Sequence, residues 1–143
     1  MATPHRLTIK YRELPRWKYS LECVLEIPTG IRGGQRFELD LCLLDEDGVL
    51  IVNPKYAWDG PSGPTIDTAN WMRASLAHDA LYQLMREAGL DISHRKAADQ
   101  LMYDMLREDG MSWVRARVAY RGVRLFGKPA AKPRKPAPVL SAP

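Results

Sequence analysis

The spacing of apolar positions changes once along this chain. The change separates an early strand-forming part from a later helical part. From Tyr19 to Ile27 apolar and polar residues alternate, with Leu21, Val24, Leu25 and Ile27 as the apolar set, and Pro28-Thr29-Gly30 and Gly33-Gly34 then mark a turn or loop. From Arg36 to Leu44 the alternation predicts a strand with Phe37, Leu39, Leu41 and Leu43 facing inward. Asp45-Glu46-Asp47-Gly48 turns the chain, Val49 to Val52 closes a hairpin, and Asn53-Pro54 ends the sheet segment. Residues 5–55 therefore read as β. Residues 56–67, YAWDGPSGPTID, hold two glycines and two prolines, so they are expected to form a constrained loop that is neither helix nor ladder strand.

At Thr68 the period becomes helical, with Asp67 or Thr68 as the N-cap. Trp71, Ala74, Leu81 and Met85 make the first apolar stripe, running to Glu87 and stopped by Gly89. Ser93 is expected to cap a second helix carrying Ala97, Ala98, Leu101, Met102 and Met105, with Gly110 after it. Ser112 opens a third with Trp113, Val114, Val118, Tyr120, Val123 and Leu125, ending at Gly127-Lys128-Pro129. There are no internal repeats. The predicted class is α+β, with N-terminal antiparallel hairpins or a small sheet followed by a three-helix core.

Length and composition suit one domain over residues 1–127, with the β part at 5–55, the loop at 56–67 and the helical part at 68–127. The formal charge of +4 is confined to the end of the chain. Lys128, Lys132, Arg134 and Lys135 lie in 128–143 without an acid, and the remainder holds 17 basic against 17 acidic residues. Residues 128–143 are thus expected to be a disordered basic Pro/Ala-rich tail, and nucleic acid is not implied as a partner. Cys23 and Cys42 both fall in strand-like segments. They could form one disulfide or remain two reduced thiols, and a cytosolically made chain favours thiols. The first residues, MATPHRLTIKYRELPRW, show no apolar signal region, and no stretch has the length of a membrane span. Synthesis in the cytoplasm is expected.

Chemistry concentrates at His78-Asp79. His78 lies on the stripe of the first helix with Ala74, Tyr82, Trp71 and Met85, and Asp79 sits about 100° round, at the margin of that face. Asp99, between apolar neighbours on the second helix, should be buried or half-buried and in need of donors. An antiparallel helix pair joined through Gly89–Ile92 would bring Asp99 opposite His78, with Tyr82 and Tyr103 near enough to donate to it. The loop before the first helix contributes Asp59. Imidazole titrates near neutrality and can take a proton from water, while a carboxylate on its other nitrogen fixes the tautomer and stabilises the imidazolium. Asp79, Asp59 and loop carbonyls suit calcium (Ca2+), which would polarise an ester carbonyl. Zinc fits less well, with one local histidine and no local cysteine.

The run HDALY, His78 to Tyr82, resembles the H-D-x-x-Y signature of secreted phospholipases A2. The resemblance implies that His78 is the general base and Asp79 a calcium ligand, with Asp99, Tyr82 and Tyr103 supporting the histidine. Bacterial and fungal members place the later aspartate about one helix on, as here. They also carry a segment similar to Asp59-Gly60-Pro61-Ser62-Gly63-Pro64 and Asp67, which implies Asp59 and Gly60 as further calcium contacts. Ala119 to Gly127, AYRGVRLFG, looks like their closing segment. The similarity covers Trp58 to Gly127. The flanking cysteines of the animal enzymes are absent, and Pro61 and Pro64 stand where their glycine-rich calcium loop would be.

A second and more specific resemblance, carried by YAWDGPSGP followed by HDALYQLMR, is to an uncharacterised family of small phage and prophage proteins. It implies a viral or prophage origin and no particular activity. Two functions are therefore expected. One is a calcium-assisted esterase acting on phospholipid at a membrane surface. The other is a non-catalytic virion component or binder of a phage or host protein that keeps the fold. HD-type metal phosphohydrolases need a further helical histidine, and His5 and His94 fall at unsuitable places. Arg117, Arg121 and Arg124 share a stripe of the third helix and read as a solvated face, with lipid headgroups, phosphate or a partner's acids as the functional alternative. Trp58 and Trp71 flank the proposed cleft.

Overall fold

A computed structural model describes residues 9–13, 19–58, 69–134 and 139–142. The β part forms two antiparallel sheets. One has the order β1-β2-β7, from Tyr11–Glu13, Tyr19–Leu21 and Ala57–Trp58. The other has the order β3-β6-β5-β4, from Leu25–Pro28, Val49–Val52, Cys42–Leu44 and Phe37–Glu38. Four α-helices follow: α1 Ala69–Glu87, α2 Arg95–Glu108, α3 Trp113–Phe126 and the short α4 Lys128–Ala131. The class is α+β, as the change of period predicts.

Two predicted strands are divided in the structure. The segment Tyr19 to Ile27 breaks after Leu21, so that β2 and β3 join different sheets and Val24 is exposed. The segment Arg36 to Leu44 folds back on itself, pairing Phe37 with Leu44 and Glu38 with Leu43, while Leu39 N–H donates to Cys42 O at 2.8 Å. Asp40 then sits at a tight turn rather than within a strand. Phe37 and Leu43 are buried as expected and Leu39 packs partly against the core, but Cys42 and Leu44 are buried as well and Leu41 is exposed at the turn. Ala57 and Trp58, assigned by composition to the constrained loop, instead form β7 opposite Ser20 and Tyr19. The Asp45–Gly48 turn is as expected. Asp45 Oδ1 accepts from Asp47 and Val49 N–H, and Gly48 has φ +83° with Ile31 O where a Cβ would stand.

α1 is the central element. Thirteen of its 19 residues are buried, more than a one-sided helix would bury, because α2, α4 and strands β5 and β6 all pack against it. Leu76, Leu81, Leu84 and Met85 meet Leu44, Leu50 and Val52 in a single core, where each fully buried aliphatic side chain contributes about 1.5–3 kcal/mol. Gly89 at φ +84° ends α1. Asp91, rather than the expected Ser93, caps the following turn, accepting from Ser93 N–H at 2.8 Å, and residues Ile92–His94 form a 3-10 turn ahead of α2. Ser112 caps α3 as expected.

The expected third apolar stripe is not inward. Ala116 is buried, with Ala119 and Val123 partly so, while Trp113, Val114, Val118 and Leu125 are exposed. The body also extends past Gly127, where a disordered tail is expected. Lys128–Ala131 form α4, Ala131 is fully buried, Arg86 donates to Ala130 O at 2.8 Å, and Arg134 N–H donates to Arg86 O at 2.9 Å. Composition alone misplaces this boundary because Lys-Pro-Ala-Ala is a poor core sequence yet a competent helix start, with proline in the first turn. The caps expected at Asp67 and Thr68 lie outside the described residues.

Candidate functional site

α1 and α2 are antiparallel neighbours, and this brings His78 and Asp99 together. His78 Nε2 lies 2.7 Å from Asp99 Oδ1, with His78 7% exposed and Asp99 fully buried. Tyr82, one turn along α1 from His78, donates its hydroxyl to the same Oδ1 at 2.5 Å, and the two rings stack at a tilt with centroids 4.0 Å apart. A carboxylate buried this completely requires further compensation. Arg124 reaches in from α3 to donate to Asp99 Oδ2 at 2.8 Å. Arg95 on α2 lies 4.0 Å from Oδ2 and donates to the Tyr82 hydroxyl at 3.0 Å. Arg95 in turn is held by the Val123 and Arg124 carbonyls at the end of α3. Three helices are thus tied to one carboxylate.

The electrostatics follow from this packing. Burial pushes the Asp99 carboxyl pKa upward, but the hydrogen bonds from His78, Tyr82 and Arg124 outweigh it and hold the group below its ordinary value. Asp99 is therefore anionic at neutral pH. The Tyr82 hydroxyl is pushed well up, by burial first and then by the Asp99 charge, and serves as a donor. With Nε2 donating to a carboxylate, the His78 tautomer leaves Nδ1 as the acceptor. Nδ1 has no hydrogen-bond partner among the described residues. Trp71, two turns earlier on the same face, buries its Nε1–H without a partner among the described residues, whereas Trp58 Nε1 donates to Ser75 Oγ at 3.1 Å.

The remaining predicted residues are placed differently. Tyr103 does not hold Asp99. Its ring meets Tyr120 edge-on at 6.1 Å, and the places expected for it are taken by Arg124 and Arg95. Asp79 is half-buried, at four-residue spacing from Gln83 and Glu87. It lies close enough to Tyr56 to add to the rise that burial imposes on that hydroxyl. Gln83, Glu87 and Tyr56 line a cleft of about 790 Å3 together with Cys42, Lys55 and Asp40, on a side of α1 that does not include His78. Adjacent helical positions diverge by about 100°, so Asp79 sits round the helix from His78. Asp59 and Gly60 lie outside the described residues. Among the described residues no three His, Cys, Asp or Glu side chains cluster, so these residues supply only Asp79 to the expected calcium set. Cys23 and Cys42 are free thiols, and burial raises Cys42 to about 12.

Arg95 and Arg124 are the site residues that sequence reasoning misses. Arg95 stands one helical turn before Asp99, a spacing at which opposite charges meet. Arg124 was legible only as part of an outward arginine stripe.

Residues 64–123 match a family described as "Protein of unknown function (DUF1353)". The matched span holds His78, Asp79, Tyr82, Arg95, Asp99 and Tyr103 and ends one residue before Arg124. No curated protein and no solved structure matches the chain.

Proposed function

We propose that this chain is a hydrolase of carboxylic esters, of the phospholipase A2-like kind, with His78 as general base and Asp99 as the residue that orients it. The observation that carries this reading is the buried 2.7 Å His78–Asp99 contact, with Nδ1 left as an acceptor that has no partner among the described residues. In the proposed reaction Nδ1 takes a proton from a water molecule as the water oxygen bonds to the ester carbonyl carbon. Asp99 stabilises the imidazolium that results. The imidazolium then returns the proton to the departing alkoxide as the carbon–oxygen bond breaks, giving acid and alcohol. Tyr82, Arg95 and Arg124 hold Asp99 ionised and in place.

Calcium belongs to the reading as its metal, with Asp79, Asp59 and Gly60 as the residues that would hold it, where it would polarise the carbonyl. The substrate class is a phospholipid at a membrane surface, and the resemblance to phage and prophage proteins suits use during entry or lysis. The test is fatty acid release from mixed phospholipid micelles by the purified chain, titrated with calcium. Release that needs calcium and falls at least a thousandfold in folded His78→Ala is expected. Absence of release, or release unchanged in His78→Ala, would overturn the reading in favour of a non-catalytic virion or host-binding protein.

A further inference from the structure

α3 contacts the body along a narrow line through Ala116, Ala119 and Val123. On an ideal helix Val114, Arg117, Val118, Arg121 and Leu125 fall within about 100° of arc on the opposite side. All five are exposed, Val118 at 66% and Leu125 at 74%, and Trp113 and Phe126 flank them at 61% and 80%. From Trp113 to Arg134 the chain carries seven cationic side chains and no acid. No solvated helix needs that many aliphatic and aromatic side chains in water, and an apolar patch rimmed by cations marks a binding surface.

We propose that this outer face of α3 docks on an anionic lipid surface. The apolar residues alternate with arginines at helical spacing. A helix lying at a bilayer interface therefore sinks Val114, Val118 and Leu125 below the phosphates while Arg117 and Arg121 stay among them. Nucleic acid would use the arginines but leaves Val118, Leu125 and Phe126 without a role. A second copy of the same face would set arginine against arginine. Charge complementarity selects the anionic lipid. The inference stands whether or not His78 hydrolyses an ester.

The experiment is co-sedimentation of the full chain with vesicles of phosphatidylcholine alone, or with about a third phosphatidylglycerol, at low and high salt. Binding to the mixed vesicles at least tenfold above the neutral ones, weakened by salt, is expected, with a blue shift of emission that Trp113→Phe removes. Arg117→Gln with Arg121→Gln should weaken binding about 30-fold, from roughly one kcal/mol per cation. Val118→Ser with Leu125→Ser, which leaves the charge unchanged, should weaken it about tenfold. All four positions are exposed, so these variants fold. The proposal is overturned if mixed vesicles do not bind the chain or if the serine pair binds as the parent does. It is equally overturned if an oligonucleotide strips the chain from vesicles, or if the serine pair instead dissolves a dimer. Hydrolysis of a soluble short-chain ester, measured alongside, separates loss of docking from loss of the His78 chemistry.

Discussion

Asp99 is fully buried and its charge is balanced by groups on three helices, so its ionisation is coupled to folding. Its pKa is held below the unfolded value of about 3.9. A carboxyl depressed in the fold contributes stability above its unfolded pKa and loses it as pH falls through the folded one. The wild type should therefore weaken on acidification below about pH 4. Asp99→Asn keeps the size but strands Arg124 and Arg95, and should cost about 3–5 kcal/mol at pH 7. Urea unfolding of both proteins from pH 7 to pH 3 checks this: the gap between them should narrow below about pH 4, and a constant gap would contradict it. The pairing of His78 with Asp99 was legible in sequence because both sit on apolar stripes of neighbouring helices. The arginines were not, because burial of a carboxylate states a need for donors without saying which long side chain supplies them. Tyr103 is the converse case: it has the right spacing on α2, and the positions beside Asp99 are already filled.

Elements were legible where one residue type forces an outcome. Gly48, Gly89 and Gly110 adopt positive φ at the ends of β and α segments, and Ser112 caps α3 as read. They were less legible where two periods fit equally well. Arg36 to Leu44 alternates well enough for one strand, yet it folds as a hairpin pairing Phe37 with Leu44, which buries Cys42 and Leu44 along with Phe37 and Leu43 and leaves Leu41 exposed. The stripe of α3 was sound as a period and wrong as an orientation, because small residues at 116 and 119 let the helix approach closely on its other side. Gly127, where α3 passes into α4, shows how tight that approach is. A Cβ there would stand 2.6 Å from Val123 O and 3.0 Å from the Tyr82 hydroxyl. Its φ of −81° is open to any residue, so the constraint is space rather than backbone strain. Gly127→Ala should cost about 1–3 kcal/mol and disturb the Tyr82–Asp99 hydrogen bond. Thermal unfolding, with the Tyr82 signal followed by NMR, reads both effects, and a neutral substitution would show that α4 shifts freely.

At the scale of the whole molecule, charge and packing divide the chain at different places. Composition separates a balanced body from a basic tail at Lys128, but the structure carries Lys128, Lys132 and Arg134 onto the body by packing α4 against α1. The hydrogen bonds between Arg86 and residues 130 and 134 close this contact over Ala131, and neither partner advertises itself in the local sequence. α4 also backs the end of α3, where the Val123 and Arg124 carbonyls hold Arg95 beside Asp99. Truncation therefore distinguishes two boundaries. Ending the chain after Arg134 removes no described packing and should leave the unfolding midpoint within about 1 °C. Ending it after Gly127 removes Ala131 from the core and both Arg86 contacts, a loss of about 2–3 kcal/mol, and should lower the midpoint by roughly 5–10 °C. Equal midpoints for the two truncations, measured by calorimetry at one pH and salt, would return the boundary to Gly127 and make α4 an ornament of the tail.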